Sequence, residues 1–440
     1  MRRQRNAAGR RCYHHDLLAA IGKCLPHRGL PLEASDGRVR WTPRMLVIAA
    51  VLLSWASGPN LQQCFEVARE ALVAMYLSRR RPGETLAGFL DALAQQSSSL
   101  LCVVVMSLRR ASIRVCADGW RMGRWVVMGG DGSRVECPMT RRNEEGLGCA
   151  GKDKTAPQLF ITTIFHVVSG LPWSWIVGRG DSSERGQLRR MLKALPRRTM
   201  MLMDAGFPSY VLLRAMLMLG HDFVVRVGRN VQLLHGLGWA FEQRGSTVYL
   251  WPVNHRKRSP LVLRLVKVKS KGKRVYLLTS VLDHDVLGDA QVVQLYRMRW
   301  GIEVMYRTLK RTLEHHKMRS DTPKRARIEL DWYMAGLWML GLMTLESMGP
   351  RRLQRRWSAA SAISCTRMAM RNARRPRRCG GLPGQLAGAV QDSYTRTHPK
   401  KARHYPRKKT QRPAGRPKIR MATPLETIAA QALGPLRCPN

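Results

Sequence analysis

Hydrophobic positions along the chain follow two different periods, and the change from one to the other divides the sequence. Up to about residue 115 apolar residues recur at helical spacing, as in "ETLAGFLDALAQQ", and "TPRMLVIAAVLLSWAS" adds a Thr cap followed by Pro. From Arg124 onward, short β-branched runs end in glycine, which is typical of strands. We therefore expect a helical N-terminal region over residues 1–115.

The middle of the chain alternates between predicted strands and predicted helices. Three strands come first, followed by helix, strand, helix and strand: "RWVVMGGDG", "QLFITTIFHVVSG", "LPWSWIVG", "SERGQLRRMLKAL", "TMMLMDAGF", "PSYVLLRAMLMLG" and "HDFVVRVG". This order predicts an α/β domain with a mixed sheet over residues 116–350. Residues from about 229 to 285 alternate like β-structure again, and an amphipathic helix follows them.

The charge of the chain points to a polyanionic partner. There are 76 Lys and Arg against 29 Asp and Glu, a formal net charge of +47. Such a field repels itself unless a polyanion neutralises it, and nucleic acid is the first expectation because Lys and Arg displace the counterions of phosphates. An anionic membrane surface and a ribosome-like structural role are the alternatives. The apolar run Met45–Leu53 is too short to span a bilayer, so we expect no membrane insertion and a cytoplasmic, nucleoid-associated protein.

Two further features concern cysteine and the C-terminal region. The ten cysteines form no C-x-x-C pair, so neither a zinc finger nor a disulfide framework is indicated.

Residues 351–440 are strongly basic and are expected to be partly disordered. Within them, Gly415-Arg416-Pro417 resembles the core of an AT-hook, an arm that lies in the DNA minor groove. A solvated basic tail is the alternative for Arg416.

Two aspartates stand at the ends of predicted strands in a chain that has few acids. Asp131 follows "RWVVMGG", and Asp204 follows "TMMLM". A sheet that placed these two strands side by side would bring both carboxylates together, where they repel unless a cation lies between them. Mg²⁺ suits such a pair, and a third carboxylate would complete a two-metal site. The alternatives are a turn-forming role for Asp131 and a capping role for Asp204.

One helix face carries polar and charged side chains that could complete this site. On a helix, with about 100° per residue, the side chains of Tyr296, Arg299, Glu303 and Lys310 lie within about 60° of one another. Glu303 could be the third carboxylate, and the two cations and the tyrosine could hold phosphates. An ordinary amphipathic helix with a charged side is the alternative. The neighbouring face is apolar and could pack on the sheet.

These four residues also carry a family resemblance. The spacing Tyr296-x2-Arg299-x3-Glu303-x6-Lys310 matches the YREK signature without a gap, and resembles DDE transposases of the bacterial insertion-sequence-four type, the group that includes the Tn-five transposase. "GGDGSRVECP" is similar to the family's first-Asp motif, and "GDSSERGQLRRMLKALPRRTMMLMDAGFPSYVLL" to the segment around its second Asp. The resemblance covers roughly residues 125–347, half of the chain.

The resemblance implies a fold, a site and a reaction. The fold is a ribonuclease-H-like mixed sheet with a β-rich insertion between the second Asp and the Glu. The metal ligands and catalytic residues are Asp131, Asp204 and Glu303, with two Mg²⁺ ions for which Mn²⁺ can substitute. Tyr296, Arg299 and Lys310 contact DNA, and Trp300 is similar in position to a family Trp that receives a flipped base. A core role is the alternative for Trp300.

The implied activity is cut-and-paste transposition of double-stranded DNA, through a hairpin in relatives of this type. The implied partners are the inverted-repeat ends and the target DNA, with a homodimer in the synaptic complex. From its position and charge, we expect the helical N-terminal region to read the terminal inverted repeats. Two departures from the family are Ala205, where many relatives have Arg, and Gly130, where an apolar residue is usual. A related metal-dependent nuclease without strand transfer and a DNA-binding relic of a transposase are the alternative functions.

Overall fold

The structure of the chain is a computed structural model. It describes most of the 440 residues, with gaps in the N-terminal region, in three internal loops and in the basic C-terminal region. The described residues are 12–25, 30, 40–76, 82–149, 156–239, 242, 246–270, 273–350, 355–376, 380–392 and 414–437.

The described strands form one ten-stranded mixed sheet, in the spatial order β10-β6-β7-β8-β9-β5-β4-β1-β2-β3. Their bounds are β1 Val126–Glu136, β2 Gln158–His166, β3 Leu171–Arg179, β4 Thr199–Met203, β5 Asp222–Val227, β6 Gln232–His235, β7 Thr247–Leu250, β8 Leu261–Ser270, β9 Lys273–Thr279 and β10 Lys418–Met421. The α/β class and the mixed sheet predicted from the strand order are confirmed.

The centre of the sheet brings two non-consecutive strands together. β1 pairs antiparallel with β2 and parallel with β4, and β4 pairs parallel with β5. All five residues of β4 are buried, which explains its unbroken apolar sequence, because helices cover both faces of a parallel strand. The predicted β-rich insertion is not separate from this sheet, since β9 pairs antiparallel with β5 and β8 with β9.

The helices lie around the sheet and around one long central helix. Their bounds are α1 Tyr13–Cys24, α2 Pro43–Trp55, α3 Leu61–Met75, α4 Leu86–Val115, α5 Arg141–Leu147, α6 Glu184–Met191, α7 Tyr210–Met218, α8 Asp289–Met298, α9 Gly301–Arg307, α10 Pro323–Met348, α11 Ala359–Arg371, α12 Gly381–Ala387 and α13 Pro424–Leu433. Helix α10 is buried along most of its length and contacts α2, α4, α11, α12 and β3, so it joins the N-terminal helices to the sheet.

Among the described helices, α4 alone has the length and apolar composition needed to cross a membrane. One face of α4 packs along α10, where Ser97 and Ser112 accept hydrogen bonds from the indole N–H groups of Trp332 and Trp338 at 2.9 and 2.8 Å. The buried apolar residues of α4, which include Phe89 and Leu108, fall on the same side. This face is therefore part of the protein core.

Two stretches of the basic C-terminal region are folded. Helices α11 and α12 pack against α1. Strand β10 pairs parallel with β6, and an ion pair of 2.6 Å between Arg256 and Glu426 holds α13 to the insertion. A solvated tail is therefore the wrong interpretation for residues 414–437, because packing on the sheet edge offsets the cost of ordering a basic segment. The remaining basic run, which includes residues 398–413, lies outside the described residues.

Candidate active site

The two aspartates of the sequence analysis come together on adjacent parallel strands. In the β1–β4 register Gly129 is opposite Leu202, and Asp131 and Asp204 each follow two residues later. Asp131 is not at the end of a strand as predicted, because β1 continues to Glu136 and pairs Asp131 with Thr163 of β2. The turn-forming alternative for Asp131 is therefore wrong.

The helix that carries Glu303 is seated directly on β1 and β2. Tyr306, which is buried, donates its hydroxyl hydrogen to the backbone carbonyls of Asp131 and Ile161, at 2.9 and 3.2 Å. Beneath the helix, the ring of Phe165 leaves no room for larger residues. A Cβ at Gly129 would lie 2.1 Å from Phe165 Cε1, and a Cβ at Gly301 would lie 3.0 Å from its Cε2. Glycine at these two positions lets α9 approach the strand that carries Asp131.

The single regular helix predicted through residues 294–320 is interrupted at the site. Helix α8 ends at Met298 and α9 begins at Gly301, and between them the N–H groups of Arg299 and Trp300 bond to the carbonyls three residues earlier. After α9 the chain forms a π-helical turn over Thr308–Thr312, a feature that is frequent at functional sites. Of the predicted apolar face, five residues are nevertheless buried and Met298 is partly buried; the five are Leu295, Ile302, Met305, Leu309 and Leu313.

Arg299 lies between the carboxylates rather than out in solvent. Its side chain is 10% exposed, and its terminal nitrogens lie 3.8 Å from Asp131 Oδ2 and 3.3 Å from Glu303 Oε1. Its guanidinium also lies 5.6 Å from the centre of the Tyr296 ring, within cation–π range. Arg299 thus supplies positive charge where two acids would otherwise repel each other.

The surroundings of Asp131 and Glu303 raise the pKa of both carboxyls. Burial raises the pKa of Asp131, an effect that the N–H of Gly132 and the charge of Arg299 oppose and that the charge of Asp204 reinforces. Burial also raises the pKa of Glu303, which Arg299 again opposes. A cation that binds among these groups would stabilise their ionised forms, which is the electrostatic signature of a metal or phosphoryl-transfer site.

Tyr296 and Lys310 each contact one of the two central strands. The Tyr296 hydroxyl donates to Asp204 Oδ1 at 3.0 Å, and burial followed by the charge of Asp204 raises the pKa of Tyr296 to about 12. The Lys310 ammonium donates to Ser133 Oγ at 2.7 Å and to the carbonyl of Arg134 at 2.5 Å. All four residues of the Tyr-Arg-Glu-Lys signature therefore lie around Asp131 and Asp204.

Trp300 and Arg416 lie on the surface. Trp300 is 59% exposed at the break between α8 and α9, so its core alternative is wrong and an aromatic face is available beside the site. Arg416 is exposed just before β10. Its neighbour Gly415 has a φ of 74° and lies against the side chain of Arg229, so this turn is attached to the insertion.

Sequence reasoning missed a fourth acid in the site. The Glu184 carboxyl lies against Gly132, with Oε1 2.6 Å from the position of a Cβ on that residue, and it interacts electrostatically with Asp131. Burial and the charge of Asp131 raise the pKa of Glu184 to about 7. The available signal was the scarcity of acids, but Glu184 stands where an N-terminal helix acid is ordinary, after the Ser183 cap.

The carboxylate oxygens of the site suit a hard divalent cation, although the guanidinium of Arg299 now contacts two of the carboxylates. Carboxylate oxygens are the ligands that Mg²⁺ prefers, and Asp131, Asp204 and Glu303 interact electrostatically with one another. Within the described part of the chain, no three Asp, Glu, His or Cys side chains are close enough to share an ion as they stand. The guanidinium of Arg299 lies between two of these acids, Asp131 and Glu303.

Comparison with known proteins shows similarity to transposases. The transposase DDE domain family matches residues 131–339, a segment that begins at Asp131. Transposase InsG for insertion sequence element IS4 of Escherichia coli (strain K12) is 27% identical over 194 residues, which are 41% of this chain and 43% of that protein. The chain thus spans less than half the length of this relative. A piggyBac transposase, solved by cryo-EM in a synaptic complex with hairpin DNA, is similar with a TM-score of 0.41 and 11% identity, covering 87% of this chain and 84% of that one.

Residues 131–339 match the transposase DDE domain family. The relation to transposases of the insertion-sequence-four type, expected from the Tyr-Arg-Glu-Lys signature, is confirmed by the family match together with the InsG match.

Proposed function

We propose that the chain catalyses cut-and-paste DNA transposition, by metal-dependent strand cleavage and strand transfer at the ends of its own element. The observation that carries this proposal is the meeting of three acids from distant parts of the sequence. Asp131 on β1 and Asp204 after β4 share one edge of the sheet, and Glu303 on α9 lies within electrostatic reach of both.

The strand order supports a ribonuclease-H-like catalytic core. In the sheet, β3, β2 and β1 are consecutive and antiparallel, and β4 and β5 continue from β1 in parallel. This is the arrangement that the family resemblance implies. The remaining strands, β6–β9, form the insertion between Asp204 and Glu303.

Asp131, Asp204 and Glu303 would hold two Mg²⁺ ions, or Mn²⁺ in their place. When bound, such ions activate the attacking oxygen and stabilise the leaving one. The chain's own residues prepare this centre. Tyr296 fixes one oxygen of Asp204 by a hydrogen bond of 3.0 Å, and Tyr306 fixes the backbone of Asp131. These contacts restrain the Asp204 carboxylate and the backbone of Asp131, as pre-organised catalysis requires.

Cationic and aromatic groups beside the acids would hold the DNA. Arg299 and Lys310 would contact phosphates once they exchange their present acidic or carbonyl partners for DNA, and Tyr296 would donate to a phosphate oxygen. The exposed ring of Trp300 would stack on a flipped base of a hairpin end.

The regions outside the DDE domain would bind the partners that transposition needs. The helical N-terminal region, residues 1–115, would read the terminal inverted repeats, and Arg416 with the basic C-terminal region, residues 351–440, would add contacts to the DNA backbone or minor groove. We infer a homodimer in the synaptic complex, acting on end and target DNA in a bacterial cytoplasm at the nucleoid.

The test is a cleavage and joining assay with the DNA that flanks the gene. A labelled fragment that carries one flank is incubated with the full chain and Mg²⁺ or Mn²⁺, and the products are separated on a denaturing gel. A supercoiled plasmid serves as the target. We expect a nick at the element boundary, then a hairpin, then joined products.

The alternatives give different products in the same assay. Cutting without any joined product would favour a nuclease that lacks strand transfer. Specific binding without cutting, under every metal tried, would favour a DNA-binding relic. A chain that neither binds nor cuts the flanking DNA would contradict the proposal.

A further inference from the structure

Glu184 connects the two catalytic strands without belonging to the predicted triad. Its Oε1 atom lies against Gly132, the residue after Asp131, whose N–H donates to Asp131 Oδ1 at 2.9 Å. Its Oε2 atom lies 3.6 Å from the Cβ position of Gly206, in the turn that follows Asp204. The side chain therefore spans from β1 to the turn after β4.

Two glycines make room for this carboxyl. A Cβ on Gly132 would lie 2.6 Å from Glu184 Oε1 and 2.5 Å from Phe160 Cζ, closer than real Cβ contacts allow. A Cβ on Gly206 would lie at an ordinary contact distance from Glu184 Oε2. Neither glycine has a positive φ, so at Gly132 the requirement is space for Glu184 and Phe160 rather than backbone conformation.

The first turn of α6 is anchored so that Glu184 points into the site. The Ser183 side chain caps the helix by accepting from the N–H of Gly186, and Leu188 is fully buried. The hydroxyl of Thr162, on β2, donates to Gln187 Oε1 at 2.5 Å. A side chain fixed in this way is not an ordinary solvated acid at a helix start.

We propose that Glu184 is a positioning residue of the catalytic centre, which fixes the Asp131 carboxylate in the orientation that metal binding requires. It acts through its packing against the Asp131–Gly132 segment and not as a direct ligand. This inference rests on the proposed metal centre. Groups of this kind, one step removed from the ion, commonly change metal affinity or activity by about 10–100-fold when they are removed.

The experiment is a Mn²⁺ titration of the DNA-free chain, with free Mn²⁺ followed by electron paramagnetic resonance. Glu184→Gln keeps the size and the polar atoms that lie against the Asp131–Gly132 segment, so we expect near wild-type affinity. Glu184→Ala removes these atoms, and Glu184→Asp is too short to reach both Gly132 and Gly206, so we expect about 10–100-fold weaker binding from each. Glu184→Asp also guards against misfolding, because an acid at a helix start stays favourable.

Two controls separate the possible failures. The first is Glu144→Ala, which removes an exposed acid from the first turn of α5 and should leave Mn²⁺ binding unchanged. The second is Asp204→Asn, which should weaken Mn²⁺ binding if the metal centre exists. If Asp204→Asn has no effect, the proposed centre itself fails. If Asp204→Asn weakens binding and all three Glu184 variants match the wild type, only the positioning role fails. If Glu184→Gln is as weak as Glu184→Ala, Glu184 is a direct ligand and the positioning role is wrong.

Discussion

The guanidinium of Arg299 lies 3.8 Å from the carboxylate of Asp131, although 168 positions separate the two residues in the chain. The same guanidinium is 3.3 Å from Glu303, four residues further along the helix. Arg299 therefore neutralises the acids at the point where a divalent cation would act. A cation that enters must displace the guanidinium, and the displaced group is then available to a DNA phosphate.

Replacing Arg299 should make the protein depend on divalent cations for stability. In Arg299→Met the acids lose their partner, and we expect the free energy of unfolding without metal to fall by roughly 1–3 kcal/mol, the usual loss when a hydrogen-bonded charge is left unpaired. The increase in melting temperature on adding Mg²⁺ should then be larger than in the wild type. Thermal unfolding with and without Mg²⁺ checks this.

The control for this experiment is Arg141→Met, because Arg141 pairs with Glu145 on the surface and is 91% exposed. Its Mg²⁺ response should match that of the wild type. An Arg299→Met protein with an unchanged Mg²⁺ response would show that Arg299 does not compete for the cation position.

Removing the Tyr296 hydroxyl should impair cleavage more than DNA binding. In Tyr296→Phe the ring remains, but Asp204 loses the 3.0 Å hydrogen bond that orients it. We expect strand cleavage to slow by about 10–100-fold, the range found when groups that orient metal ligands are removed. The measurement is single-turnover cleavage beside a gel-shift titration on the same fragment. Equal losses in both would indicate that the hydroxyl serves DNA contact alone.

Adding a methyl group beneath the site should destabilise the fold. The new Cβ in Gly129→Ala would meet Phe165 at 2.1 Å, and Phe165 also supports Gly301 of α9. Overpacking of this kind typically lowers the free energy of unfolding by about 1–3 kcal/mol. Urea unfolding measures the change, and Gly22→Ala, which has open space around its Cβ position, is the matched control. A Gly129→Ala protein as stable as Gly22→Ala would mean that this packing is looser than described.

Acid should destabilise the chain partly through a buried histidine. The His315 ring stacks on Tyr333, and its Nε2–H donates to the carbonyl of Ser54 at 2.8 Å. Burial, followed by the charges of nearby Arg319 and Arg367, lowers the pKa of His315 to about 3. Below about pH 6.5 the histidine binds a proton in the unfolded chain but stays neutral in the folded chain. The contribution of neutral His315 to the free energy of unfolding is therefore present at pH 7 and is lost as the pH falls from 6.5 towards 3.

Between pH 7 and pH 5 the free energy of unfolding should fall by about 2 kcal/mol because of His315, at 1.36 kcal/mol per pKa unit. Urea unfolding at both pH values should therefore show a smaller drop for His315→Gln than for the wild type. The exposed neighbour His316 is the control, since His316→Gln should keep the wild-type drop. A His315→Gln drop equal to that of the wild type would contradict the assignment.

Much of the catalytic core could be predicted from the sequence because local patterns determine it. Buried parallel strands such as β4 have continuous apolar sequences, so their position and the acids near their ends are visible without a structure. The meeting of Asp131 and Asp204 needed one further assumption, that the first and fourth strands are neighbours, and the sheet order confirms it. The apolar face of the Glu303 helix was visible for the same reason.

Long-range packing determines what the sequence could not show. The chain breaks its helix at Arg299 and Trp300 although both residues have helical backbone angles, and the glycine beside the break, Gly301, lies against Phe165 of β2, a long-range contact. Glu184 is functional in our account only because α6 starts beside Gly132 and Gly206, which are far from one another in sequence. The docking of β10 on β6 likewise depends on a sheet edge that composition does not reveal.

The central claim is that Asp131, Asp204 and Glu303 form one metal-dependent centre that cuts DNA. Glu303→Gln tests it most directly, because the change keeps the size and hydrogen bonding of the side chain and removes the charge that a cation needs. Cleavage of the flanking DNA with Mg²⁺ should fall to background in this variant while gel-shift binding stays at the wild-type level. Glu145→Gln, an exposed acid that is 65% accessible, should cut normally. If Glu303→Gln cuts as well as the wild type, Glu303 is not part of the centre and the account is wrong.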